Sequence, residues 1–362
     1  MAISDPLAHA AAPPGAARSS DRAVGLWLLA CCALIVAMVV IGGITRLTES
    51  GLSIVRWEPI GGAIPPLDHA DWQRQFEDYQ NSPQYRQVNQ GMSLDEFRTI
   101  FWWEYVHRLW GRLIGIAYLV PFVWFLATGR IARPLRAPLA GIFALGALQG
   151  ALGWWMVASG LNDVPWVSPY RLTAHLGLAL AIYAVTLWIA LNLVRPSAPP
   201  APRALVRRAG AIALLVFVTM LAGGFVAGTD AGLIYNSFPW MGDGLIPSDY
   251  RNPALGAVAN AFENQAAVQL HHRLLALATV AAVTAFWTVA RPRVRTAARV
   301  ALDGLGAIAL VQAGLGIATL LLHVPTALAA LHQAGGVALL TLALLTVHTL
   351  SGAGRAATRT HD

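Results

Sequence analysis

Apolar residues are concentrated in eight long stretches along the chain, and polar residues collect in the segments between them. The hydrocarbon core of a bilayer is about 30 Å thick, and a helix needs about 20 consecutive apolar residues to cross it. The pattern therefore predicts an all-α integral membrane protein with eight transmembrane helices. The predicted spans are roughly residues 24–45, 101–127, 136–158, 172–194, 206–228, 264–290, 298–322 and 326–350.

Composition supports this class and excludes an ordinary soluble domain. Of the 362 residues, 56% are hydrophobic and 12% are charged, whereas soluble domains carry roughly 25% charged residues. The chain has two cysteines, Cys31 and Cys32, which are adjacent within the first apolar stretch. They cannot join two distant loops, so no disulfide framework is expected.

The net charge of +7 comes from arginine, since the chain has no lysine. Most arginines lie near the termini and in the short loops after the even-numbered spans, whereas most acidic residues lie in the opposite loops. The positive-inside rule therefore places both termini in the cytoplasm and the longest loop, residues 46–100, outside. The charge thus marks topology, and no nucleic-acid partner is expected. The aromatic residues of the long loop predict that it folds onto the membrane face.

The two halves of the chain repeat the same features in the same order. Gly42-Gly43 ends the first span and Gly223-Gly224 the fifth, and each pair is followed at equal spacing by a threonine, a glycine and a leucine. Further matches are His107-Arg108 with His272-Arg273, segment 148–153 with 311–316, and Ala174-His175 with Leu331-His332. A parallel repeat of four spans predicts two tandem four-helix bundles. The predicted divisions are a disordered cytoplasmic tail at 1–21, an N-terminal bundle at 22–194, a linker at 195–205, a C-terminal bundle at 206–350 and a cytoplasmic tail at 351–362.

Every even-numbered span carries a histidine within about two turns of its outer end. Those that match between the halves are His107, His175, His272 and His332. A single intramembrane histidine more often packs through hydrogen bonds or relays protons than binds a metal. Duplicated pairs at one depth favour a cofactor held between facing helices of a bundle. Two histidines are too few for a zinc site, but two axial nitrogens satisfy a haem iron. We therefore predict a bis-histidine haem in each bundle.

The two bundles differ beside the first histidine of each pair. Glu104 lies three residues before His107 on the same helical face, and the matching residue before His272 is Gln269. A carboxylate in one bundle alone indicates proton-transfer chemistry there and a permanent haem in the other. The alternative interpretation is an ion pair between Glu104 and Arg108, four residues further on.

Arginines recur beside the same histidines. Arg108 and Arg273, with Arg112 and Arg171 as further candidates, suit the carboxylates of haem through charge-assisted hydrogen bonds. The alternative is that they extend to the outer interface. The repeat also selects His272 over its neighbour, and the histidines without a matched role are His271, His323 and His348.

The segments that contain these residues resemble the haem A synthase family, the CtaA-type integral membrane enzymes. The likeness is carried by residues 42–53, 104–112, 173–175, 268–273 and 332–333, and it covers residues 22–350. The resemblance implies an oxidoreductase that converts haem O to haem A. In that reaction two successive hydroxylations turn the C8 methyl group of the ring into a formyl group, with loss of water. The product supplies cytochrome oxidase.

The resemblance also implies a role for each half. The C-terminal pair, His272 and His332, is similar to the ligand set of a bound b haem, which supplies iron as a cofactor. The N-terminal pair, His107 and His175, is similar to the site for the substrate haem O. Glu104 is the acid-base residue that the resemblance implies.

The partners that the resemblance implies are haem O, the lipid bilayer of the cell inner membrane and an electron donor that the sequence does not identify. Haem O synthase and a second copy of the chain are further candidates. The chain lacks the outer-loop cysteine pair of some bacterial members and is similar to the branch with a long first outer loop. The residues alone leave two other functions open. They are a di-haem b electron carrier, disfavoured because the four histidines share one depth, and a transporter, favoured by the duplication alone.

Overall fold

The computed structural model describes residues 14–58, 61–162 and 164–354. In these ranges the regular structure is helical, apart from one isolated bridge between Met241 and Gly244. Eight of the described helices are long and apolar enough to cross a membrane. This confirms the predicted all-α membrane protein with eight spans. The helices are α1 (Pro14–Leu47), α2 (His69–Gln80), α3 (Pro83–Gln87), α4 (Leu94–Ala127), α5 (Arg133–Ala158), α6 (Pro169–Val194), α7 (Arg203–Gly228), α8 (Ala257–Glu263), α9 (Gln265–Ala290), α10 (Thr296–Leu321) and α11 (Thr326–Ser351).

Two spanning helices begin earlier than the apolar pattern predicts. Helix α1 begins at Pro14, so residues 14–21 are helical and do not belong to a disordered tail. A proline at a helix start removes no internal hydrogen bond. Helix α4 begins at Leu94, because Ser93 and Glu96 form a capping box in which each side chain bonds the other residue's backbone N–H. Residues 1–13 and 355–362 of the predicted tails lie outside the described residues.

The spanning helices pack as two rings of four. Helices α1, α4, α5 and α6 contact one another in that order around the first ring, and α7, α9, α10 and α11 do so around the second. The rings meet where α11 packs against α1 and α6, and where α6 packs against α7. The neighbour order is therefore the same in both halves. The division into two bundles at residues 195–205 stays a prediction.

One apolar cluster runs across the boundary between the rings. Among its buried members are Val39 of α1, Leu180 of α6, Val216 of α7, Val283 of α9 and Leu340 of α11. Burial of apolar surface favours close packing wherever the surfaces meet. Three of the four helices that carry the repeated histidines, α6, α9 and α11, therefore share one packed interior, and α4 packs in two separate clusters.

The loop between α1 and α4 folds onto the N-terminal end of α4 through aromatic side chains. Trp72 and Tyr79 of α2 pack against Phe97, Phe101 and Tyr105 of α4. The ring centroids of Trp72 and Phe101 are 4.9 Å apart, and those of Tyr79 and Phe97 are 5.2 Å apart. The loop therefore covers the part of α4 that carries Glu104 and His107.

Candidate functional site

The first histidine of each pair lies against a glycine of the neighbouring helix. A Cβ atom placed on Gly42 of α1 would lie 3.1 Å from Nε2 of His107 on α4. A Cβ placed on Gly223 of α7 would lie 3.2 Å from Cε1 of His272 on α9. These glycines open the Gly-Gly pairs of the sequence repeat, so the repeat marks two places where an imidazole approaches a helix backbone.

The second histidine of each pair has a glycine seat of its own. A Cβ on Gly153 of α5 would lie 2.9 Å from Cε1 of His175 on α6, and one on Gly316 of α10 would lie 2.8 Å from Cε1 of His332 on α11. Cβ atoms in proteins essentially never come this close to another heavy atom. Glycine is therefore required at both positions as long as the imidazoles keep their places.

The two histidines of each half lie on opposite helices of one ring. His107 on α4 faces the helix of His175, α6, across the first ring, and His272 on α9 faces the helix of His332, α11, across the second. The Nδ1 atoms of His175, His272 and His332 are buried without a hydrogen-bond partner among the described residues. A buried polar atom without a partner costs about 1–3 kcal/mol. Such imidazoles fit a site in which an additional group is bound.

The described residues contain no cluster of three or more histidine, cysteine or acidic side chains arranged to hold a metal ion. Two facing histidines match the axial needs of a haem iron, because the porphyrin supplies the other four nitrogens. The glycines let each imidazole pack directly against the backbone of a neighbouring helix. The residues present therefore fit a haem in each half.

Glu104 is enclosed by four hydrogen-bond donors. Its Oε2 accepts from the Ser53 hydroxyl and from the backbone N–H of Ile54, both at 2.7 Å. Its Oε1 accepts from Nε of Arg108 at 3.0 Å and from Nη2 at 2.6 Å. The ion pair between Glu104 and Arg108, the alternative interpretation of their spacing, is therefore present. The sequence did not reveal the two loop donors, because only the fold brings residues 53 and 54 back to α4.

Gln269 occupies the matching place in the second half. It accepts from Nη2 of Arg273 at 3.1 Å, and its amide donates to the carbonyl of Ala231 at 2.7 Å. Arg273 donates to the carbonyl of Tyr235 at 2.8 Å, just as Arg108 donates to that of Ile54 at 2.8 Å.

The two arginines thus make similar hydrogen bonds in the two halves, but the side chain beside each differs in charge. It is the carboxylate of Glu104 for Arg108 and the neutral amide of Gln269 for Arg273. Glu104 neutralises Arg108. None of the ion pairs among the described residues includes Arg273. The positive charge of Arg273 is therefore available to an anionic group.

Two glutamines support the second histidine of each pair. They lie in the repeated segments 148–153 and 311–316. The amide of Gln149 donates to the backbone carbonyl of His175 at 3.0 Å, and that of Gln312 donates to the carbonyl of His332 at 2.7 Å. The Gln149 amide also lies 3.3 Å from Nε2 of His175. The equal positions of Gln149 and Gln312 in the repeated segments are a sequence signal that could have indicated this shared role.

The remaining candidates have other surroundings in the structure. Arg171 donates to the carbonyl of Trp155 at 2.7 Å and stacks on its ring. His271 contacts the Tyr250 hydroxyl at 3.1 Å, and His348 contacts Oδ1 of Asn192 at 3.0 Å. The other two candidates are Arg112, which donates to the Glu58 carbonyl at 2.8 Å, and His323, which has a positive φ of 62° at the end of α10.

Comparison with known proteins identifies the family of this chain. Residues 25–344 match the family described as cytochrome oxidase assembly protein, COX15-CtaA. The chain belongs to this family. It is similar to a protein of Nitrosospira multiformis named heme A synthase, with 51% identity over 342 residues that cover 91% of this chain and 94% of that protein.

Relatives from a plant and a mammal are nearly as similar. The Arabidopsis thaliana protein named heme A synthase COX15 is 46% identical over 347 residues, which cover 91% of this chain and 75% of that protein. The Bos taurus protein of the same name is 45% identical over 349 residues, which cover 92% of this chain and 83% of that protein. The COX15-CtaA range contains both histidine pairs and Glu104, so the resemblance seen in the sequence is confirmed.

Proposed function

We propose that this chain is a haem A synthase, an oxidoreductase that converts the C8 methyl group of haem O to a formyl group by successive hydroxylations. The observation that carries the proposal is the presence of two histidine pairs on opposite helices of the two rings, with each imidazole seated on a glycine. The names of the relatives support the same activity. The product is haem A for cytochrome oxidase.

Each half has its own role in this proposal. His272 and His332 hold a b haem, and His107 and His175 hold the iron of the substrate haem O. When bound, the haems supply iron chemistry that the side chains of the chain lack. The chain itself orients the half-buried imidazoles through the glycine seats and the Gln149 amide.

Glu104 is the proposed acid-base residue. Its carboxylate accepts four hydrogen bonds, so taking up a proton requires one donor to turn away. The Ser53 hydroxyl can do this, because a hydroxyl group rotates and can accept as well as donate. We therefore place the exchangeable proton on Oε2 of Glu104, next to Ser53.

The two arginines are proposed to bind haem carboxylates. Arg273 is the better placed, because its hydrogen bonds go to carbonyl and amide oxygens and its charge has no carboxylate partner among the described residues. Arg108 shares its charge with Glu104 and can bind a haem carboxylate only with its remaining donors. Charge-assisted hydrogen bonds of this kind are roughly twice as strong as neutral ones.

The proposed location is the cell inner membrane, with both termini in the cytoplasm and the histidines towards the outer side. Haem O synthase, an electron donor and a second copy of the chain are the proposed protein partners. Orientation is tested with single cysteines at the exposed positions Asp243 and Arg133, since Cys31 and Cys32 are buried. In intact spheroplasts an impermeant maleimide should label Asp243→Cys and spare Arg133→Cys. The reverse pattern would contradict the orientation.

Activity is tested by expressing the chain in a host that makes haem O and no haem A, followed by extraction of the pigments. We expect haem A with the wild-type chain and none with an empty vector. His272→Ala should lose the b haem signal in a reduced-minus-oxidised spectrum, and the exposed His69→Ala serves as the matched control. Bound haem without haem A would favour the electron carrier instead, and absence of all haem absorbance would favour a transporter.

A further inference from the structure

Gln333 follows His332 on α11, and its side chain crosses to the other half of the molecule. Its Nε2 donates to the backbone carbonyl of Val39 on α1 at 2.9 Å. Its Oε1 occupies the space in which any residue other than glycine at position 43 would carry a Cβ atom. The carboxamide therefore lies directly on the backbone of α1.

The neighbouring glycine on α1 seats a histidine of the first half. A Cβ on Gly42 would lie 3.1 Å from Nε2 of His107 on α4. Consecutive residues of a helix point about 100° apart. The dipeptide Gly42-Gly43 therefore faces His107 with one residue and Gln333 with the next.

From these contacts we propose that Gln333 is a positioning residue that ties the site of His332 in the second half to the seat of His107 in the first. The inference rests on the proposed function, in which His332 holds a b haem and His107 holds the substrate. Gln333 does not itself contact the reacting atoms. It acts through Gly43 and the adjoining Gly42.

The matching contact on the other side of the interface lacks this link. Gly224 of α7 corresponds to Gly43, and Leu176 follows His175 as Gln333 follows His332. A Cβ on Gly224 would lie 3.1 Å from Oγ1 of Thr173 and 3.3 Å from Cδ2 of Leu176. A leucine donates no hydrogen bond, so it cannot bond the backbone of α7 as Gln333 bonds that of α1.

Several features suit the Gln333 contact to fixing the distance between α11 and α1. The bond to Val39 is partly buried, where hydrogen bonds are electrostatically stronger than in water. Because residue 43 is glycine, no side chain that could change conformation lies between Gln333 and the backbone of α1. A displacement of α11 that moves His332 therefore also moves the backbone that seats His107. Packed interiors transmit such shifts because they contain few voids.

A double-mutant cycle tests the proposal on the full-length protein. The variants are Gly43→Ala, Gln333→Ala and the double variant. Gly115→Ala is the matched control, because a Cβ at this glycine of α4 meets nothing within 4 Å. The first readout is the electron paramagnetic resonance spectrum of the low-spin b haem. The second is the thermal unfolding midpoint, which does not depend on catalysis.

We expect Gly43→Ala to shift the g values of the b haem, although residue 43 lies in the other half. In the Gln333→Ala background the shift should shrink to less than half, since the obstructing carboxamide is gone. Gly43→Ala should also lower the thermal unfolding midpoint, and this loss should shrink in the Gln333→Ala background. Gly115→Ala should change neither readout.

Additive effects of the two substitutions, or a g shift that persists in full without the Gln333 side chain, would overturn the proposal. If no haem is retained, the thermal cycle alone decides it. Failure of the proposed function has a different signature. A protein that binds b haem and forms no haem A would contradict the activity and leave the positioning role of Gln333 to be judged by the cycle.

Discussion

Replacing Glu104 by glutamine tests whether the carboxylate does more than hold Arg108. The Glu104 side chain is 3% exposed and the Arg108 side chain is 13% exposed. Removing one partner of a buried ion pair costs about 3–5 kcal/mol when the other charge is left alone. Glutamine still offers Arg108 one acceptor, as Gln269 does for Arg273 at 3.1 Å. We therefore expect a smaller loss of about 1–3 kcal/mol, the cost of one unsatisfied buried group.

The effect on turnover should be larger than the effect on stability. A positioned acid-base group contributes about 10²–10⁴-fold to rate, so haem A yield per folded protein should fall at least about 100-fold. The b haem should remain, because His272 and His332 lie in the other half and do not contact Glu104. Pyridine haemochrome analysis of extracted pigments measures both quantities in one sample.

Ser53→Ala is the matched control for the loss of stability. It removes one donor to Oε2 of Glu104 and keeps the negative charge. It should destabilise the protein by about 1 kcal/mol and leave most of the turnover. Full haem A yield from Glu104→Gln would refute the acid-base role. Loss of b haem together with haem A would instead assign Glu104 to holding the fold.

Two further predictions concern the second half. Gly316→Ala places a Cβ 2.8 Å from the His332 ring, so haem content per protein should fall sharply. The control Gly314→Ala, whose Cβ meets nothing within 4 Å, should keep its haem. Equal haem contents in the two variants would contradict the glycine seat. Gln269→Glu adds a carboxylate beside Arg273 and should lower the midpoint potential of the b haem, because negative charge favours the ferric state. A redox titration measures this, and an unchanged or higher potential would show that the charge of Arg273 does not reach the iron.

Much of the fold could be predicted because the bilayer imposes a strong rule on the sequence. A helix that crosses it needs a long apolar stretch, so eight spans could be counted directly. The ends were less predictable. Helix α4 begins seven residues before its predicted start, because the Ser93 and Glu96 capping box and the aromatic contacts of Phe97 favour helix where the sequence is polar.

The candidate site could be predicted in part. The repeat singled out His107, His175, His272 and His332, and the structure places them as two pairs, each on opposite helices of one ring. The repeat also contained Gln149 and Gln312, but spacing alone does not show that an amide reaches the backbone carbonyl of a histidine 20 or 26 residues away.

The sequence by itself determined the class of protein, the number of spans, the duplicated histidines and the charge difference between Glu104 and Gln269. These follow from residue type and spacing along one helix. Only the tertiary structure decided which glycine seats which imidazole, that Ser53 and Ile54 enclose Glu104, and that Gln333 reaches across to Gly43. Those contacts join different helices, and their partners depend on how helices of similar apolar composition pack, which periodicity does not specify.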